Sequence, residues 1–215
     1  METFMDSQKK IGSSDKGGKM KKIALLTMFV VVALFLFGNV QGAITVIDFE
    51  ELATPGTGAT FISQYEVAGF KFTAEAGASA AFLRFFHTEH ESFAGSTAIH
   101  GELFGASPPD VILGRTDSLT FDLLSIDISE RWPQAIPSPI TIVGMKDDGS
   151  TVSTTVSLDG VFGFETFELS GFTDLVSLRL FGTTAQYSNF VVSIIPEPAS
   201  LLLLGLGGLL IRRKK

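Results

Sequence analysis

Residues 44–194 alternate short apolar or β-branched runs with turn residues, which is the pattern of a β-sandwich. No stretch in this region shows a sustained helical period with caps. Residues 146–150 read Lys-Asp-Asp-Gly-Ser between two such runs, and Asp-Gly is a strong hairpin signal. We therefore predict an all-β domain in which two sheets of about five strands each enclose the core. The predicted strands are residues 44–49, 69–73, 80–86, 97–100, 111–113, 118–129, 140–145, 151–158, 165–169, 175–181 and 187–194.

The apolar alternation changes phase inside the longest of these strands. Leu123 shares its face with Phe121, two positions earlier. The apolar positions then move to Ile126 and Ile128, which have the opposite parity. One extra residue in a strand turns every following side chain to the other face of the sheet. The pattern therefore predicts a β-bulge near Leu123 and Leu124.

The N-terminal end, residues 1–43, is interpreted as a leader and not as part of the fold. Lys21 and Lys22 precede an uncharged, mostly apolar run over residues 23–37, and small residues suited to cleavage follow it. At about 1.5 Å per residue this run is short for a bilayer, which favours a cleaved signal peptide. The Sec translocon and signal peptidase are then the expected partners, and Met20 is the expected true start. An uncleaved N-terminal anchor is the alternative.

The C-terminal end, residues 195–215, has three parts. Pro196, Glu197 and Pro198 keep the chain out of a helix, because proline fixes φ and restricts the residue before it. A glycine-containing apolar run over residues 201–211 predicts a helix that is short for a bilayer. The positive-inside bias would keep the end of the chain in the cytoplasm, because it carries only cations. These cations are Arg212, Arg213, Lys214 and Lys215.

This tail resembles the PEP-CTERM sorting signal of Gram-negative bacteria over its full length. The Pro-Glu-Pro triplet, the spacing, the apolar run and the basic end occur in the order of that signal. The resemblance implies a transmembrane helix that anchors the protein transiently in the inner membrane, with the domain outside, until an exosortase-like enzyme removes it. Such proteins are exported in organisms that make exopolysaccharide, so we expect the cell surface or the extracellular space as the destination. An ordinary C-terminal anchor is the alternative.

Charge separates the two ends from the middle of the chain. Residues 1–43 carry +3, residues 199–215 carry +4 and residues 44–198 carry −14, within a formal net charge of −7. Nucleic-acid binding is excluded as a function, since it needs cations to replace phosphate counterions. The absence of cysteine excludes a disulfide scaffold, a thiolate zinc site and a cysteine nucleophile.

Two groups of residues are candidate metal ligands. Asp48 and Glu50, at alternate positions of the first predicted strand, could hold a structural calcium with Asn189 through oxygen ligands. Two acids on an exposed face at the end of the sandwich are the alternative. Residues 87–91, His-Thr-Glu-His-Glu, offer imidazole and carboxylate ligands together with His100, but they lack the HExxH order. A solvated loop is the alternative for that stretch.

Trp132 is the candidate ligand-binding residue. It is the only tryptophan, and it opens a proline-rich loop that runs to Pro139. A rigidly held indole can stack on a sugar ring, although it can equally cap the core of a sandwich. Nothing in the sequence singles out the pair of carboxyls that glycoside hydrolysis requires, and a Gly-x-Ser-x-Gly motif is absent.

Four segments resemble the jelly-roll domains that often precede this tail, which are similar to galactose-binding-like and lectin-like sandwiches. In that group an early Asp-Phe-Glu strand pairs with a late Asp-Asn-Ile-like strand, where this chain has Ser188, Asn189 and Phe190. The segments are residues 47–50, 65–72, 119–127 and 187–192.

We therefore expect a jelly-roll-like β-sandwich over residues 44–194, flanked by a signal peptide and a short transmembrane helix. The expected function is that of an exported, non-enzymatic surface or matrix protein that binds polysaccharide or calcium. A secreted carbohydrate-active hydrolase on the same sandwich is the alternative. Some proteins described as ice-binding carry the same tail, but the threonines at 151–155 form a single irregular patch without repeats.

Overall fold

The computed structural model describes residues 42–75, 81–103, 109–133, 139–181 and 185–194. Nearly all of the predicted leader and the whole sorting tail, including Glu197 and the terminal cations, lie outside these ranges. No helix in the described ranges is both long and apolar enough to cross a membrane.

The described part of the chain is built from antiparallel strands, with one turn of 3-10 helix at Glu50–Leu52. The strands are β1 Ala43–Ile47, β2 Ala59–Ile62, β3 Gln64–Val67, β4 Phe70–Glu75, β5 Phe82–Phe86, β6 His100–Glu102, β7 Asp110–Arg115, β8 Asp122–Glu130, β9 Ile140–Lys146, β10 Thr151–Val156, β11 Glu165–Glu168, β12 Leu175–Leu180 and β13 Ala185–Ile194.

Two large sheets and one small sheet share these strands. One sheet has the order β1-β13-β8-β11, and the other has the order β10-β9-β12-β7-β4-β3. Eight of the strands, β1 and β7 to β13, have the sheet order of a jelly roll. The chain crosses between the two large sheets so that one contains β1-β13-β8-β11 and the other contains β10-β9-β12-β7. The small sheet, β2-β5-β6, continues along the edge of β13 through a bridge between Ile99 and Tyr187. The prediction of an all-β, jelly-roll-like sandwich is confirmed.

Every predicted strand has a counterpart, but β2 and β3 were not predicted. Both are four-residue strands at the edges of their sheets, and neither contains a fully buried residue. β2 does not alternate, and the alternation of β3 covers only four positions, which is the shortest run that indicates a strand. The predicted hairpin is present between β9 and β10. Its Gly149 has a φ of +81°, which suits glycine.

The predicted bulge in β8 is confirmed by its pairing with β13. Val192 pairs with Leu123 and Val191 pairs with Ser125, so Leu124 is the extra residue. The change of phase brings the apolar positions on both sides of the bulge into the core, as the sequence pattern required.

A cluster of three phenylalanine rings joins the two large sheets. The centroid of the Phe72 ring, on β4, lies 5.2 Å from that of Phe190, on β13. Phe49, in the turn after β1, lies 5.1 Å from Phe72 and 6.1 Å from Phe190. All three side chains are 0% exposed, and edge-to-face pairs at these distances add to the free energy of burial.

We expect Phe72→Ala to lower the free energy of unfolding by about 3–5 kcal/mol, because it removes the ring that touches both other members of the cluster. Urea denaturation of the full-length protein in detergent measures this change. Val161→Ala is the control: Val161 is 69% exposed, so its truncation should cost less than about 0.5 kcal/mol. Equal costs for the two variants would show that the rings do not hold the sheets together.

Candidate functional site

The small sheet carries a buried ion-pair network centred on Glu102, the last residue of β6. Arg84 Nη1, on β5, donates to Glu102 Oε2 at 2.9 Å, and Arg131 Nη2, just after β8, donates to the same oxygen. The side chains of Arg84, Glu102 and Arg131 are 19%, 13% and 5% exposed. Two cations and one anion leave an excess of positive charge here, although the domain as a whole is acidic.

Aromatic rings surround this network. The Phe86 ring, at the end of β5, stacks on His90 and His100 with centroids 4.3 Å and 4.9 Å away. The Arg84 guanidinium carbon lies 4.7 Å from the centroid of the same ring, which is the geometry of a cation–π contact. Phe86 therefore links the two histidines to the ion pairs.

Trp132 lies at the rim of the cluster and is half-buried. The guanidinium carbon of its neighbour Arg131 lies over the indole at 4.2 Å from the ring centroid, and the Phe86 ring is 6.1 Å away. Because Arg131 is in turn bound to Glu102, the indole packs against a side chain that is already fixed. The geometry suits the predicted ligand-binding role of Trp132, which stays a prediction.

Burial determines the protonation of His100, one of the two histidines in this cluster. Desolvation lowers the pKa of His100 well below its ordinary value, and the positive charges of Arg131 and Arg84 act in the same direction. His100 Nε2 lies 3.8 Å from Glu102 Oε2, but a neutral imidazole at that distance forms no ion pair. Desolvation also lowers the pKa of Arg131 to about 10, so this guanidinium stays charged near neutral pH.

Several buried nitrogen atoms of the cluster lack a hydrogen-bond partner within the described residues. They are Nε of Arg84 and Arg131 and both ring nitrogens of His100, one of which is a donor and the other an acceptor in the neutral ring. Buried polar atoms without partners are uncommon in folded proteins, and water often supplies the missing partner. Because these nitrogens are buried, the half-buried indole of Trp132 is the part of the cluster that a ligand would meet.

The predicted calcium ligands Asp48 and Glu50 do not lie on one strand. β1 ends at Ile47, and Glu50 begins the 3-10 turn. Glu50 Oε1 accepts hydrogen bonds from Ser96 Oγ at 2.6 Å and from Thr97 N at 3.0 Å, so it fastens the loop before β6.

Asn189, the third predicted calcium ligand, supports a second irregularity in β13. Its φ is +44°, in the left-handed region that asparagine tolerates, and its Nδ2 donates to Asp127 Oδ2 at 2.8 Å. Thr166 Oγ1 donates to the other oxygen of Asp127 at 2.6 Å. The calcium set of Asp48, Glu50 and Asn189 stays a prediction.

The histidines of residues 87–91 are used in packing and hydrogen bonding. His87 Nε2 is 2.9 Å from Thr60 Oγ1, and His90 Nδ1 accepts from Ser92 N at 3.0 Å. His90 also stacks on Phe86. The structure thus gives these rings partners inside the small sheet and its loops.

Arg84 and Glu102 were not singled out from the sequence. Arg84 stands in the run Phe-Leu-Arg-Phe-Phe of β5, and a charged residue inside so apolar a strand signals a buried ion pair. Its partner could not be named from the sequence, since Glu102 is one of twenty acids in the middle of the chain.

Comparison with known families identifies the C-terminal end. Residues 195–215 match the model of the PEP-CTERM protein-sorting motif. The chain carries a PEP-CTERM sorting tail. This confirms the resemblance stated from the sequence and marks the protein for export, with a membrane-anchored sorting signal and processing by an exosortase. Comparison with curated proteins finds none that matches the chain.

The sandwich is similar to carbohydrate-binding modules of known structure at low sequence identity. The family 32 module of C. perfringens NanJ, solved with galactose, is 12% identical, with 70% of this chain and 100% of that chain covered and a TM-score of 0.38. The CBM22-1 xylan-binding domain of Paenibacillus barcinonensis Xyn10C is 15% identical, with 72% and 96% covered and a TM-score of 0.36.

The lowered pKa of His100 predicts that acid destabilises the sandwich. Unfolded, this histidine takes up a proton near its ordinary pKa of 6.5, whereas the buried ring does not. The free energy of unfolding is therefore highest above pH 6.5. It decreases as the pH falls below this value, by up to about 1.4 kcal/mol per pH unit.

His100→Gln should remove this part of the pH dependence, because glutamine does not titrate. The measurement is urea denaturation of the parent and the variant between pH 7.5 and about 5, above the ordinary range of most carboxyls. Identical slopes in the two proteins would contradict a neutral, buried His100.

Proposed function

We propose that this chain is an exported, non-enzymatic protein of the cell surface or extracellular matrix whose sandwich binds polysaccharide beside Trp132. Export is supported by the PEP-CTERM tail. Binding is supported by one observation above all, which is that the half-buried indole of Trp132 packs on the guanidinium of Arg131 within a buried ion-pair network.

The chemistry of this cluster suits a sugar. Sugar rings have apolar faces that pack on aromatic planes, and their hydroxyls bond to planar polar side chains. Trp132 supplies the plane, and the guanidinium groups of Arg84 and Arg131 supply donors in fixed positions. A surface that is already ordered loses little side-chain entropy when a ligand binds.

Binding is favoured over hydrolysis by the carboxylates of the cluster. Glycoside hydrolysis needs two carboxyls that face one sugar at a defined separation. Among the described residues, the ion-pair network contains a single carboxylate, Glu102, and it is engaged by two arginines. The hydrolase alternative predicts that the protein releases reducing sugar from the polysaccharide that it binds, which a reducing-sugar assay measures.

The proposed route of the protein follows from its two ends. The Sec translocon would carry the chain across the inner membrane, and signal peptidase would remove the leader near residue 43. The tail would hold the sandwich outside the membrane until an exosortase-like enzyme cleaves beside Pro196, Glu197 and Pro198. Exopolysaccharide at the cell surface is then the nearest ligand for the Trp132 cluster.

Trp132→Ala should weaken polysaccharide binding at least tenfold, which corresponds to about 1.4 kcal/mol and is typical of a central aromatic contact. The measurement is a glycan array followed by affinity electrophoresis in the polysaccharide that binds best. Phe181→Ala is the matched control, because Phe181 is 38% exposed and also lies under an arginine, Arg179, at 5.9 Å. Equal binding by the two variants, or release of reducing sugar by the parent, would contradict the proposal.

Glu197→Ala should trap the full-length protein in the inner membrane without unfolding the sandwich. Glu197 stands between two prolines beside the apolar run of the tail, so recognition by the processing enzyme is its expected use. Fractionation of cells checks this, beside a variant that lacks residues 212–215 and should instead lose orientation or retention. A Glu197→Ala protein that is processed and released like the parent would leave the tail as an ordinary anchor.

A further inference from the structure

A second cluster of charged side chains lies where β8 ends and β11 begins. Glu130 is the last residue of β8, Asp159 lies in the loop after β10, and Glu165 is the first residue of β11. One carboxylate oxygen from each residue lies within 4.8 Å of those from the other two. Acidic groups often lie close together on a surface without an ion, but one member of this cluster is buried.

Glu130 is that member, with only 2% of its surface exposed. Its Oε1 accepts a hydrogen bond from Gly160 N at 3.1 Å. Its Oε2 is buried and has no hydrogen-bond partner among the described residues. A carboxylate in the protein interior needs a counter-charge or a full set of hydrogen bonds, and Glu130 has neither.

The other two carboxylates are held in place by the loop itself. Glu165 Oε1 accepts from Asp159 N at 2.9 Å, and Asp159 Oδ1 accepts from Val161 N at 2.7 Å. Each of the three carboxyl groups thus has one oxygen fixed by a backbone N–H.

No lysine or arginine in the described ranges forms an ion pair with any of these three acids. Arg131, which follows Glu130 in the chain, gives its guanidinium to Glu102. Three acidic groups therefore converge without a cation from the part of the chain that the structure describes, and a bound cation would relieve both their repulsion and the desolvation of Glu130.

We propose that Glu130, Asp159 and Glu165 bind one calcium ion. Carboxylate and backbone oxygens are the ligands of hard cations, and calcium accepts irregular sets of them at about 2.3–2.6 Å. Two ligands of one such ion are at most about 4.6–5.2 Å apart, and these oxygens lie within 4.8 Å of one another. Magnesium demands a smaller, near-octahedral site and retains waters, and zinc prefers nitrogen and sulfur ligands.

The bound ion would fasten the loop between β10 and β11 to the end of β8. This site is distinct from the predicted set of Asp48, Glu50 and Asn189. It also does not depend on the proposed polysaccharide function, so either proposal can fail while the other stands.

The rival explanation is that the three acids hold no ion. In that case calcium would not change the melting temperature, and calorimetry would show no calcium binding.

The test uses the full-length protein in detergent, stripped of metal with a chelator and titrated with calcium chloride or magnesium chloride. Calorimetry should show one calcium per chain, and calcium should raise the melting temperature, because the ion binds only the folded state. Glu165→Gln and Asp159→Asn keep the shape and the backbone hydrogen bonds but remove a charge. Each should weaken calcium binding at least about tenfold, since affinity follows the number of charged ligands.

Two control variants locate the effect. Asp48→Asn tests the other predicted site, and Glu66→Gln removes a charge from an exposed residue whose contact with Lys71 is long, at 3.8 Å. Both should retain the calcium response of the parent. The proposal is overturned if Glu165→Gln and Asp159→Asn bind calcium like the parent, or if Asp48→Asn alone loses the response. It is also overturned if the parent binds no calcium, or if magnesium acts equally well and all variants respond alike.

Discussion

Contact between the rings of Phe49, Phe72 and Phe190 is the interaction on which the rest of the structure depends. It joins a strand of one sheet, a strand of the other and the turn after β1 within a few ångströms. The middle of the chain carries a charge of −14, so association of the sheets has to overcome repulsion between surface acids. Apolar burial provides that driving force, because it does not depend on charge.

The bulge in β8 places further apolar side chains in the core between the sheets. β8 has nine residues, so its first part packs in the sandwich core and its end reaches the two charged clusters. The extra residue at Leu124 lets Leu123 and Ile126 both face the core, although a regular strand would place them on opposite faces. The same strand then ends at Glu130, and the chain continues through Arg131 and Trp132.

Buried charge is concentrated where β8 ends. Glu130 and Arg131 are consecutive and almost fully buried, yet they face different partners: Arg131 binds Glu102, and Glu130 meets the loop after β10. Such burial is costly and adds little to stability compared with apolar packing. Apolar burial in the sandwich core offsets the free-energy cost of burying these charges. Glu130 and Arg131 lie beside the apolar core and not within it.

The sequence by itself determined most of the features that depend on neighbouring residues. Alternation predicted the central strands, Asp-Gly predicted the β9–β10 hairpin, and the change of phase predicted the bulge at Leu124. The order of the Pro-Glu-Pro triplet, apolar run and basic end was sufficient for the sorting tail. The strands β2 and β3 were missed because each has only four residues, too few for a pattern that stands out from a turn.

Only the tertiary structure decided which distant side chains meet. Trp132 was a candidate from its type alone, but its contact with Arg131 and the link through Glu102 to Arg84 required the small sheet to fold against the end of β8. The convergence of Asp159 with Glu130 likewise depends on strand order in the jelly roll. Charge pairing acts through space over a few ångströms, whereas a sequence pattern reports only the spacing along the chain.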